Sequence, residues 1–157
     1  MPLLPTALVL TTLLAPPPAR FGWPLPPPHP VVRAFEAPAT PFGPGHRGAD
    51  LSAPAGTGVL AAADGVVVFA GPVATRTLVS LQHRGGLRTT YEPVAPTVAA
   101  GSPVRRGQVI GHLQEGHCST PCLHWGARRG TEYLDPLRLV SSPHVRLLPL
   151  SAPARSP

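Results

Sequence analysis

From Val31 to Val140 the apolar residues fall into short clusters: VVRAF, ADL, GVL, DGVVVFAG, RTLVSLQH, LRTTYEPV, GQVIGHL and CLHWGA. Each is bounded by Gly, Pro or Asp. Short apolar runs separated by turn residues predict strands joined by tight turns, and so an all-β domain of antiparallel sheet. Two stretches, AAADGVVVFAG and GSPVRRGQVIGHL, share a small-residue turn followed by Gly and a β-branched pair, as expected of two halves of a duplicated sandwich-hammerhead arrangement. The chain contains 24 prolines and 16 glycines among 157 residues, too many for long helices, which supports the same reading.

The flanks differ from this middle region. Leu3 to Ala15 is an uncharged apolar run, too short to cross a bilayer as a helix but matching the apolar core of an export signal. No Lys or Arg precedes it. Pro24 to Pro30 (PLPPPHP) reads as an extended polyproline spacer. The expected organisation is a signal-like segment and spacer over 1–30, one β domain over 31–140, and a disordered tail over 141–157. A secreted or cell-envelope location follows, with no stable membrane span after processing.

Charge changes the picture only a little. The formal net charge is +6, every cationic side chain is arginine, and the arginines are scattered along the chain. The excess suits an anionic environment, or reflects genome composition alone. Trp23, Tyr91, Trp125 and Tyr133 are not interleaved with arginines in any stripe, so a nucleic-acid partner is not expected. The absence of lysine also excludes biotinyl and lipoyl carriers, which share the hammerhead pattern but attach their cofactor to a lysine.

The polar residues suggest different chemistry. GPGHRGADLSAP holds a histidine and an aspartate with three residues between them, His46 and Asp50; CLHWG holds His124 between Leu123 and Trp125. Strand alternation sends His124 to the face opposite its two apolar neighbours. Two histidines and one aspartate meet the needs of a hydrolytic zinc, which takes three N or O ligands and leaves a fourth position for water.

These stretches resemble the two metal motifs of the lysostaphin-type zinc metallopeptidases, and the similarity runs from Phe35 to Leu139 through TTYEP, GSPVRRGQVIG and YLDPL. The resemblance implies Zn2+ held by His46, Asp50 and His124. It also implies a bacterial, monomeric zinc metalloendopeptidase that acts on peptidoglycan peptide cross-links through zinc-activated water.

The resemblance has two gaps. Cys122 stands at the first position of the family's His-x-His pair, and Pro93 stands where a further histidine follows Tyr-x. Three residues are candidates to compensate: Glu92 as general base, and Cys122 or His117 in place of the missing imidazole. The competing reading of Glu92 is an exposed strand carboxylate paired with Arg88. In an exported protein with two cysteines, Cys118 and Cys122 are expected to form a disulfide; the rival is a second or shifted zinc site of His117, Cys118 and Cys122. His29, His83, His112 and His144 have no partner pattern and are expected to be core or surface residues. A catalytically degenerate wall-binding or hydrolase-regulating protein is the alternative function, and a metal-free structural module is a third.

Overall fold

The computed structural model describes residues 21–40 and 43–141. The apolar N-terminal run and the tail from residue 142, with His144, lie outside the described residues. The chain forms β1 (Val31–Arg33), β2 (Gly48–Ser52), β3 (Gly58–Leu60), β4 (Gly65–Val73), β5 (Arg76–Gln82) and β6 (Leu87–Glu92). There follow β7 (Val94–Pro96), β8 (Pro103–Val104), β9 (Val109–Leu113), β10 (Cys122–Arg129), β11 (Glu132–Leu134) and the one-turn helix α1 (Leu137–Val140). The large sheet has the order β1-β2-β10-β6-β5-β4-β8, with β11 also paired to β10; a three-stranded sheet has the order β3-β9-β7. Every strand pair is antiparallel, as the clusters predict.

Alternation explains which residues enter the core. In β6, Leu87, Thr89 and Tyr91 are buried while Arg88, Thr90 and Glu92 are half-exposed, the period of two expected of a sheet with one face on the core. Leu51, Val79, Leu81, Tyr91, Leu123 and Trp125 from the large sheet meet Val59, Val94, Ile110 and Leu113 from the small one in a single apolar cluster. The opposite face of the large sheet therefore carries Asp50, His124, Glu92 and Thr90. The two similar stretches meet directly, with Gly65 opposite Val104 and Val66 opposite Pro103.

The left edge of the domain lies earlier than residue 31. Leu25 is only 1% exposed and belongs to the core. Around it, Gly22 N donates to Ala62 O (2.7 Å) and Leu60 N to Pro24 O (2.8 Å), while Ser52 N donates to Pro30 O (2.9 Å). A proline lacks an N–H but keeps its carbonyl, so an extended proline-rich segment can still be hydrogen-bonded along an edge. The expected spacer is in fact a strap across the domain.

Candidate metal centre

The register of the large sheet assembles the centre. His124 on β10 stands directly opposite Asp50 on β2 and Glu92 on β6, so these three side chains share one face of adjacent strands. His46 precedes β2 and is held by a two-way backbone bridge with Glu36, each N–H···O contact 2.9 Å long. Gly48 permits the close approach of β10: a Cβ there would lie 2.5 Å from Trp125 O and 2.6 Å from His124 Nε2.

The donor atoms converge. His46 Nε2 lies 3.0 Å from Asp50 Oδ1 and 3.1 Å from His124 Nδ1, and His124 Nδ1 lies 2.8 Å from Asp50 Oδ1. The four side chains His46, Asp50, His117 and His124 are able to hold a metal ion between them. Burial raises the Asp50 carboxyl, but hydrogen bonds from His117 and His124 and the charges of His124 and His46 outweigh it and hold the group far below the usual carboxylate range.

The two outlying histidines have opposite tautomers. His46 Nδ1 is 2.7 Å from Ala34 O, an atom that only accepts, so Nδ1 carries a hydrogen and Nε2 is the nitrogen turned to the centre, the one that holds the lone pair in the neutral ring. A ring fixed by its far nitrogen on a backbone carbonyl is a common support for metal-binding histidines. His117 Nδ1 is 2.9 Å from Arg76 Nη1, an atom that only donates; its Nε2 therefore carries the hydrogen and donates it to Asp50 Oδ1 at 3.2 Å. In this arrangement His117 orients Asp50, and His46 offers the free lone pair. A carboxylate and imidazole lone pairs at this spacing fit zinc, whose bonds of about 2.0–2.2 Å put tetrahedral ligands roughly 3.3 Å apart.

Three expectations need correction. Cys122 is joined to Cys118 in a disulfide, with Cα atoms 5.9 Å apart, so in this state it has no thiol with which to replace an imidazole. The same bond excludes the rival zinc site while it persists, because a cysteine binds zinc as thiolate. Glu92 does not pair with Arg88; its Oε1 accepts from Arg76 Nη1 at 3.2 Å, while Arg88 donates to Gln82 Oε1. Residues 88 and 92 share a face but lie four positions, roughly 13 Å, apart along one strand, whereas the β4–β5 hairpin delivers Arg76 across it. Arg76, which joins Glu92 to His117, has no motif in the sequence that marks it. Among the described residues, the other three histidines lie apart from this cluster: His83 is buried between Asp64 O and Thr89 Oγ1, His29 packs on Trp23, and His112 is exposed.

A groove of about 480 Å³ runs beside the centre, lined by Arg47, Ser80, Thr90, Glu92, His124 and Tyr133 among others. Arg47 lies over the Tyr133 ring, 5.4 Å from its centroid. An extended peptide placed there would meet His124 and Glu92 on the floor.

Comparison with known proteins agrees with this geometry. The chain is 50% identical over 145 residues to an uncharacterised protein of Mycobacterium tuberculosis, covering 88% of this chain and 58% of that one. It is 32% identical over 132 residues to the DD-carboxypeptidase/endopeptidase Mpg of Neisseria meningitidis, covering 83% of this chain and 27% of that one. The chain thus spans little more than half of the first relative and about a quarter of the second. The catalytic domain of the antimicrobial peptidase lysostaphin from Staphylococcus simulans aligns with a TM-score of 0.63 and 25% identity, over 73% of this chain and 93% of that one. A zinc-containing peptidase from Vibrio cholerae has the same fold, with a TM-score of 0.65 and 21% identity over 78% of this chain and 40% of that one. The sequence profile of Peptidase family M23 matches residues 44–136, a span that holds His46, Asp50, Glu92, His117 and His124; the chain belongs to that family.

Proposed function

We propose that this domain is a zinc metalloendopeptidase of the cell envelope that cleaves peptide cross-links of peptidoglycan, with His46, Asp50 and His124 as the zinc ligands. The observation that carries this reading is the convergence of His46 Nε2, Asp50 Oδ1 and His124 Nδ1 within 2.8–3.1 Å of one another, with the His46 ring fixed from behind by Ala34 O. Zinc bound there would supply Lewis acidity and a water of lowered pKa. The DD-carboxypeptidase/endopeptidase named among the Neisseria relatives supports a peptide substrate, and peptidoglycan peptides are the class that the family resemblance implies.

The chain's own residues supply the rest. Asp50 keeps its charge at neutral pH and is held by His117. Glu92, directly across from His124 and 17% exposed, is placed to accept a proton from a nucleophile in the groove. Its partner Arg76 orients the carboxylate and brings a positive charge beside the reacting carbonyl. Arg76 and His117 together occupy the role that Cys122 and Pro93 leave open.

The second reading, a wall-binding or hydrolase-regulating protein without turnover, is favoured by the engagement of Glu92 with Arg76 and of Cys122 with Cys118. Zinc analysis of the purified protein, paired with release of fragments from peptidoglycan, tests both. About one zinc per chain with slow cleavage that Glu92→Gln abolishes is the expected result. Zinc without cleavage above a metal-stripped control would establish the second reading, and absence of zinc would overturn the peptidase reading.

A further inference from the structure

The disulfide lies inside the centre. Cys118 Sγ is 3.9 Å from Asp50 Oδ2, and a second group of metal-binding side chains, Asp50, His117, Cys118 and Cys122, overlaps the first at Asp50 and His117. Its donor atoms lie within 4.8 Å of one another. The bridge spans only four positions of sequence. Because the stabilisation from a cross-link grows with the loop it closes, so short a loop contributes at the low end to global stability. Its main effect is local: it seats His117 on Asp50 and keeps two sulfur atoms from acting as thiolate ligands.

We propose that reduction of Cys118–Cys122 creates a second zinc site, made of both thiolates with Asp50 and His117, and that this site draws the metal away from His46 and His124. The sulfur site stands on its own geometry; the transfer between sites rests on the zinc reading of His46, Asp50 and His124. Cys118 is half-exposed and Cys122 is buried, so a reducing dithiol attacks Cys118 Sγ and Cys122 leaves as thiolate. The second thiol of the reductant then releases Cys118, and the reductant ends as its own disulfide: two electrons and two protons reach the protein. On binding zinc the two cysteines give up their protons, and His117 gives up its contact with Arg76 so that a ring nitrogen is free to ligate. Thiolate is the softer and stronger zinc ligand, which sets the direction of transfer. The consequence is a peptidase centre that keeps its histidine set under oxidising conditions and loses it under reducing ones.

The test uses the whole protein, with zinc or Co2+ as the probe and a phosphine as reductant; the phosphine becomes its oxide with oxygen from water and leaves no competing thiol. A double variant, His46→Ala with His124→Ala, removes the histidine set. The expected result is no zinc in the oxidised double variant, about one zinc per chain after reduction, and protection of both cysteines from alkylation. In reduced wild type loaded with Co2+, a sulfur-to-metal charge-transfer band appears that is absent before reduction and absent when Cys118→Ser and Cys122→Ser are combined. No zinc in the reduced, folded double variant would overturn the sulfur site. Should that variant fail to fold, the Co2+ spectrum of reduced wild type decides, and a missing charge-transfer band overturns the proposal. Zinc content of oxidised wild type is a separate reading: its absence defeats the histidine site without touching the sulfur site.

Discussion

Asp50 and His124 reach the centre from paired strands in the interior of the large sheet, whereas His117 reaches the same carboxylate from the 114–121 loop. On the strand side, β10 is hydrogen-bonded to β2 on one edge and to β6 on the other, and Leu51, Leu123 and Trp125 anchor the reverse face in the core. On the loop side, Gln114, Glu115, Gly116, Ser119 and Thr120 are exposed, and the attachments are at the two ends and through side chains: Gln114 N donates to Pro93 O and Ala53 N to Pro121 O, Thr77 Oγ1 donates to Gln114 Oε1, and the disulfide and the Arg76 contact hold the middle. A donor placed by sheet register moves only if the sheet moves. One placed by a tether moves when the tether opens.

The largest expected effect is on the strand side. Asp50→Asn keeps the shape and removes the charge that three imidazoles share. Zinc affinity should fall by more than about 100-fold, beyond the roughly 10–100-fold typical of residues that only support a ligand. Competition against a chelator of known affinity measures it; a loss under tenfold would show that Asp50 is not a ligand.

Gly48→Ala tests whether strand approach places His124. Its methyl would press on the Trp125 carbonyl, which the sheet cannot easily move, so a cost of about 1–3 kcal/mol in urea unfolding is expected, with weakened metal binding. Unchanged stability and affinity would contradict the close packing of β2 on β10.

His117→Ala probes the loop side. Because His117 donates to Asp50 and does not present a lone pair, zinc should remain while affinity falls by about tenfold, the low end for a supporting residue. Complete loss of metal would make His117 a ligand and reverse the contrast between the two sides.

Acid should weaken the frame behind the strands through His83. Burial lowers its pKa from the ordinary histidine range, so the unfolded chain takes up a proton that the folded chain refuses. The folded state is favoured above the unfolded pKa of about 6.5 and loses that advantage as pH falls below it. Urea midpoints at pH 7.5 and 5.5 should show a smaller acid-induced drop in His83→Gln than in wild type; equal drops would assign the acid sensitivity to other groups.

The smallest effect is expected at Arg76, whose side chain is 41% exposed. Arg76→Ala should change stability by less than about 1 kcal/mol, as for other exposed ion pairs. Its signature would instead be a lower kcat with little change in zinc content, and an unchanged kcat would remove Arg76 from the proposed machinery.

Much of the centre is legible in the chain. The His46-x3-Asp50 spacing and the apolar neighbours of His124 mark three of the four converging side chains, because strand alternation is a local property that survives without knowledge of the fold. The two cysteines are close enough in sequence for their pairing to be expected. Pro24 to Pro30 misled because composition describes the missing N–H groups and not the carbonyls, and it is the carbonyls of Pro24 and Pro30 that bind the strap to Leu60 and Ser52. Arg88 misled as a partner for Glu92 because two residues on the same strand face can still be too far apart to touch.

By itself, then, the sequence determined the β class, the placement of turns and the chemical types of the donors, since these depend on residue identity and short-range periodicity. The tertiary structure decided which donors meet and in what state. Cross-strand register between β2 and β10 put Asp50 opposite His124, 74 positions away in sequence. The Ala34 carbonyl and the Arg76 guanidinium, both remote from the motifs, fixed opposite tautomers on His46 and His117. No local pattern encodes a contact made by a backbone carbonyl or by a hairpin tip, and those contacts separate the histidine that offers its lone pair from the histidine that holds the carboxylate.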